Sequence, residues 1–276
     1  MDEVVALQAN IGFSARLADG SKFVLFVRYS AFVQADVFQF GFCPYLQLCI
    51  SIGLLLPSGC VSMPALRQAL NVASNSKMTP YDFKNNWTST DEPLSPLTKS
   101  RLDRFNLLQS TADFLIQAGL PVYCEPNLSF ANDTDDMFYG INKLTEQYDF
   151  EGDKEKYDKY VVIGSCRDGD AIAIDTSDND KIVELDHEDL FSSMYFNSSI
   201  TTLADFLVLY RDFEKEVLQD KDPDDNFQCF NFTDQQFDQL KSKMFAVDSK
   251  AITDTGFWKE ELEIMLSIRQ EKYGTA

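Results

Sequence analysis

Histidine occurs once in the 276 residues, at His187, between Asp186 and Glu188. An imidazole among carboxylates has the chemistry of a general base or a metal ligand. Nucleophilic catalysis also needs a nucleophile and an acid that orients the base, and the chain has no GxSxG elbow to supply them. His187 therefore reads as a polar ring at a surface turn. Cys166 is the nearest thiol in sequence, and it reads as a small buried residue rather than a nucleophile. Two aspartate-rich stretches imitate the first ligands of a calcium loop: Asp175, Ser177 and Asn179, then Asp220, Asp222 and Asp224. Their sixth positions are Asp180 and Asp225 and their twelfth are Asp186 and Asn231, so both lack the turn glycine and the bidentate glutamate of that geometry. They read as turns, and no metal site is expected. There is no GxxxxGK[ST], GxGxxG or HExxH, which leaves phosphate cradles and zinc hydrolases without support. What remains for catalysis is a carboxylate pair that no motif announces, recognisable by opposed pKa shifts in one pocket.

The elements that must position these residues are legible in residues 160–186, YVVIGSCRDGDAIAIDTSDNDKIVELD. Tyr160 to Ile163, Ala171 to Ile174 and Lys181 to Leu185 are three β-branched or alternating runs. Asp168-Gly169 separates the first two, and Asp-Gly between strand-like runs favours a tight hairpin because both central residues accept positive φ. The spacing predicts a three-stranded antiparallel meander with one face in the core. After it, Ser198, Ser199 and Thr201 offer caps to a helix from Thr202 that places Leu203, Phe206, Leu207, Tyr210 and Val217 on one side. Thr233 with Gln236 forms a capping box before a helix carrying Phe237, Leu240, Met244 and Phe245. A last helix carries Leu262, Met265, Leu266 and Ile268. Upstream, residues 97–109 fit a helix with Leu102, Phe105 and Leu108 on one face. A second helix from Ser110 as N-cap ends at Gly119, which suits the left-handed position past a C-terminus, and Pro121 forbids its continuation. A short helix passing into an edge strand is expected over 190–197. The class is α+β, a central antiparallel or mixed sheet with helices at both ends.

Charge divides the chain. Residues 1–77 hold four acids and five bases, whereas the remainder holds 40 acids and 19 bases, so the net of −20 belongs wholly to the later part. Such acidity disfavours nucleic acid, whose binding requires Lys and Arg against phosphates, and suits a basic protein partner. Residues 37–66 carry no charge at all. Gln39, Pro44, Gln47, Ser51 and Gly53 interrupt this stretch, so a membrane span is the lesser reading. A buried extra layer is another. A third is translation from Met78 or Met63, with residues 1–77 an uncertain segment ahead of a domain over 78–276; the charge discontinuity favours this one. The six cysteines, Cys43, Cys49, Cys60, Cys124, Cys166 and Cys229, form no CxxC pair, and no secretory signal opens the chain, so reduced thiols in a cytoplasm are expected.

The order of features resembles a known family. A strand ends in Ile163-Gly164, an Asp-Gly turn follows, then Ile172-Ala173-Ile174-Asp175, a turn, Val183, Asp186-His187 and a helix with Phe206-Leu207. This pattern, with Phe83 and Trp87 upstream and the helix closing in Gly119-Leu120-Pro121, resembles the SUKH superfamily of bacterial toxin-immunity proteins and related fungal cell-wall regulators. The likeness runs over about residues 81–273. It implies a protein that binds and neutralises a cognate toxin, without catalysis or cofactor; the fungal members imply the alternative of a regulatory scaffold for cellular proteins. On charge alone, not by motif, the expected contacts with a basic toxin are the acidic loops and meander face: Asp175, Asp178, Asp180, Glu184, Asp220, Asp222, Asp224 and Asp225.

Overall fold

The computed structural model describes residues 4–16, 22–34, 78–87, 92–150, 154–167, 169–219 and 227–274. The uncharged stretch 37–66 and Asp220, Asp222, Asp224 and Asp225 lie outside them. The chain divides into two compact units, Met1–Asn75 and Ser76–Ala276. In the first, β1 (Val4–Arg16) and β2 (Lys22–Gln34) pair antiparallel.

The second unit is α+β and, among the described residues, every strand pair is antiparallel. The predicted meander is present as β8 (Tyr160–Ser165), β9 (Ala171–Asp175) and β10 (Lys181–Asp186). Gly169 has φ +83° in the first turn, and Asn179 and Asp180 are left-handed in the second. Strand β11 (Ser192–Asn197) is one edge of the sheet; the expected short helix before it is replaced by a turn in which Leu190 and Phe191 take positive φ. On the other side, β8 is shared by two short strands. Residues Ser129 and Phe130 of β6 (Leu128–Phe130) face Ser165 and Gly164, whereas β7 (Asn142–Lys143) faces Val162 and Val161. Strand β5 (Tyr123–Cys124) pairs outside β6.

Period-two alternation along the meander sorts its side chains into two cores. Val161, Ile163, Ile172, Ile174 and Ile182 face one way and join Phe196 against the helices. Tyr160, Val162, Ala171, Ala173, Val183 and Leu185 face the other way, where Leu144, Tyr148, Phe150, Tyr157 and Phe191 cover them. Both faces are thus buried over most of the meander, not one as the alternation predicts. A bulge between Val162 and Gly164 keeps the two sets in register.

On the first face, α5 (Ile200–Leu218) starts two residues before the expected Thr202, and of the candidate caps it is Ser199 that serves, its hydroxyl accepting from Thr202 N–H. The Thr233–Gln236 box opens α6 (Asp234–Thr253), and α7 (Phe257–Tyr273) follows. Phe237, Leu240 and Met244 are buried as predicted, but Phe245 points to solvent. Upstream lie α1 (Pro80–Asn86), β3 (Leu94–Ser95), α2 (Lys99–Leu102) and α3 (Gln109–Gln117), after which β4 (Leu120–Pro121) pairs with β3; the short α4 (Leu144–Gln147) follows β7. The predicted helix over 97–109 stops after Leu102. Leu108 is instead drawn out as the extended N-cap of α3, its N–H bonded to Asp180 Oδ2 at 2.6 Å, so Ser110 lies within the first turn and caps nothing. Gly119 does take the left-handed position, at φ +69°, and a Cβ there would meet Ser95 O at 2.1 Å.

Trp258 is the centre of the helical side: its ring stacks edge-on against Phe196, Phe206 and Phe257, and its indole N–H donates to Asn197 Oδ1 at 3.0 Å. Trp258→Ala leaves a large cavity and an unpartnered amide, so urea titration should show a loss of about 3–5 kcal/mol.

Candidate partner-binding face

Of the four acids picked out by charge that lie among the described residues, three are used within the fold. Asp175 is buried; burial raises its carboxyl, but hydrogen bonds from Ser177 and Lys159 outweigh this and hold it below the ordinary carboxylate value. Its Oδ1 accepts from Ser177 N–H at 3.0 Å and Oγ–H at 2.6 Å, and its Oδ2 from Lys159 Nζ at 3.0 Å. Asp180 is buried and fastens the second meander turn to the start of α3. Glu184 is 6% exposed, faces the helical core beside Ile172, and accepts from the Cys166 thiol at 3.2 Å. Asp175, Asp180 and Glu184 are therefore not the exposed contacts that charge alone suggests. Asp178 is exposed, paired with Lys181 at 2.6 Å.

His187 and Cys166 do come close to one carboxylate in common, that of Asp170. Asp170 Oδ1 receives the His187 main-chain N–H at 2.9 Å and lies 2.6 Å from Nδ1. That bond raises the imidazole above its ordinary pKa, although the ring is 41% exposed. Sγ of Cys166 and carboxylate oxygens of Asp170 and Glu184 lie within 4.8 Å of one another, the one such grouping of metal-type donors among the described residues. The calcium-like pattern from Asp175 gathers no such set.

Sequence reasoning missed another feature of this unit. Between β6 and β7 the chain leaves β8 and returns to it, and residues 131–141 form a loop pinched at its base: Ala131 N–H bonds Ile163 O and Asn132 N–H bonds Tyr139 O, each at 2.8 Å. Asp136 Oδ1 accepts from the N–H groups of Phe138 and Tyr139, at 2.8 and 3.1 Å. The Asn142 amide donates to the carbonyls of Asp136, Met137 and Gly140, and Gln147 Nε2 donates to that of Met137 at 2.8 Å. A loop held by this many bonds nevertheless turns large apolar side chains outward: Phe138 is 72% exposed, Tyr139 60%, and Tyr123, on the neighbouring edge strand, 56%. Met137 is exposed beside them.

Phe138, Tyr139, Tyr123 and Tyr148 surround a concavity of about 290 Å³ whose floor includes Gly164 and Ala171 of the sheet. Arg101 bridges Asp133 and Asp135 of the same loop, each at 2.6 Å, and Asp135 is fully exposed. Rigidly held aromatics around a recess are the side chains that dominate protein–protein binding energy. The sequence did contain a signal, three consecutive large apolar residues inside the acidic run 133–140 with neither helical nor strand period.

A second concavity, of about 610 Å³, shares Tyr123 and Ser129 with the first and holds Glu125, Arg167, Arg211 and Glu214. Burial, then the neighbouring Glu125 and Glu261, push the Glu214 carboxyl up to about 8. Burial likewise raises Glu261, which accepts from Tyr210 Oη–H at 3.1 Å and Arg167 Nη1 at 3.0 Å. Glu184, nearby through Arg167, is raised too. These shifts run in one direction, whereas an acid–base carboxylate pair requires opposed ones.

The model of the SUKH-4 immunity protein family matches residues 92–264. The chain belongs to this family. No curated protein and no solved structure matches it. The SUKH-4 match takes in the chain from β3 to the middle of α7, and so the meander, the aromatic loop and the residues of the Cys166 cluster, in agreement with the resemblance read from the sequence. No described helix is long and apolar enough to cross a membrane.

Glu214 gives a pH test of this SUKH-4 fold. Its folded pKa, about 8, exceeds the ordinary 4.5, so between those values the unfolded chain has lost a proton that the folded chain keeps. Stability therefore falls as pH rises through that window. Glu214→Gln should flatten the fall, measured as the urea midpoint at a series of pH values.

Proposed function

We propose that this SUKH-4 protein binds and neutralises a cognate protein toxin in the cytoplasm by covering it, without catalysis or cofactor. The observation that carries the reading is the family match over 92–264. Two physical features support it. The net charge of −20 suits a basic partner, and a toxin that acts on nucleic acid must carry such charge to hold phosphates. The exposed face around Tyr123, Phe138 and Tyr139 supplies aromatic anchors, on a loop that also carries Asp133, Asp135 and Asp136. Of the acids first selected, the exposed Asp178 remains a contact in this reading, and Asp220, Asp222, Asp224 and Asp225 remain in it on charge alone. Like-charge repulsion removes nucleic acid itself as a direct ligand.

Co-expression with a toxin encoded beside its gene tests the reading: cells survive and the complex purifies, with affinity falling as salt rises. No rescue, or a complex indifferent to salt, goes against it. Phe138→Ala with Tyr139→Ala should weaken binding by roughly 2–4 kcal/mol, as truncated anchors do. The same pair should leave thermal stability nearly unchanged, because neither ring is in the core.

A further inference from the structure

We propose that Cys166, Asp170 and Glu184 form a binding site for a divalent cation of the zinc class. The scaffold of the three donors is rigid. Cys166 and Asp170 close the β8–β9 turn, with Cys166 N–H bonded to Asp170 O and Gly169 N–H to Cys166 O, both at 3.0 Å. Glu184 enters from β10, where its backbone lies opposite Ile172 of β9. The donor atoms are within 4.8 Å of each other. A tetrahedral site with bonds of about 2.0–2.3 Å sets donors roughly 3.3–3.8 Å apart, a contraction that side-chain rotation supplies.

The burial of Glu184 adds to the geometric argument. Glu184 is more than nine-tenths buried, yet among the described residues its carboxyl has a single hydrogen bond, from a thiol, and no ion pair. An ionised carboxylate so placed is costly unless it is paired, and a bound cation would supply that pairing. Burial raises this carboxyl; the hydrogen bond from Cys166 and the charge of Arg167 oppose the effect, and Asp170 and Glu260 add to it. Asp170 has the outer support typical of a metal ligand: its Oδ1 is held by the His187 N–H and imidazole, which leaves Oδ2 for an ion. One thiolate with two carboxylates selects a borderline ion over calcium or magnesium, and water completes the fourth position. Binding displaces the thiol proton, and the Glu184 proton where that carboxyl is protonated, so uptake releases one to two protons and strengthens as pH rises.

The test is titration of the full, reduced chain with Co²⁺, then displacement by Zn²⁺. One equivalent of Co²⁺ should produce a sulfur-to-cobalt charge-transfer band that Zn²⁺ abolishes, with proton release detected in weakly buffered solution. Cys166→Ser should remove the band, Glu184→Gln should weaken Co²⁺ binding at least tenfold, and Cys124→Ser should leave both unchanged. A wild-type chain that takes up no stoichiometric metal and releases no proton overturns the proposal, whatever the variants do. So does a band that survives in a folded Cys166→Ser chain, since it then belongs to another thiol.

Discussion

Strand β8 is bonded along both edges and buried on both faces, and the second unit is built outward from that constraint. Each buried N–H and C=O of a central strand needs a partner. Here β9 supplies one edge, while two separate pieces of chain, β6 and β7, divide the other between them. The bulge before Gly164 lets the strand meet both, and the glycine lets them approach: a Cβ at this position would lie 2.2 Å from Ser129 O. From β8 the alternation passes to β9 and β10, so one set of residues calls for the helices and the other for the aromatic segment around Tyr148 and Tyr157.

The meander, the helix caps at Ser199 and Thr233 and the left-handed Gly119 were legible in the sequence because each is decided by residues a few positions apart. The fates of the acids were not. Asp180 is buried because an amide 72 positions away, at Leu108, requires an acceptor, and that same bond draws Leu108 out of the predicted helix. Asp175 looks like a loop residue in sequence, but Lys159 and Ser177 turn it inward. The exposed aromatics escaped for the converse reason. A run such as Met137-Phe138-Tyr139 reads as core material, and only the bonds from Asp136, Asn142 and Gln147 show that the backbone turns it outward.

The acidity of the chain thus has two physical roles. Surface acids such as Asp135 and Asp178 sit in water, where charge costs little and acts at a distance on a partner. Interior acids are handled one by one: Asp175 is neutralised by a lysine, Glu261 by Arg167 and a tyrosine hydroxyl, and Glu214 by keeping its proton near neutral pH. The net charge of the chain does not distinguish these classes.

Both ends of the aromatic loop are fastened to one strand, Ala131 through Ile163 and Asn142 through Val162, so its anchor points stay fixed whatever lies between them. Substitution, lengthening or shortening of the tip leaves the ladder and both cores untouched. In evolutionary terms, this loop is a modular part of the surface: a lineage can rewrite a handful of codons there at little cost to folding.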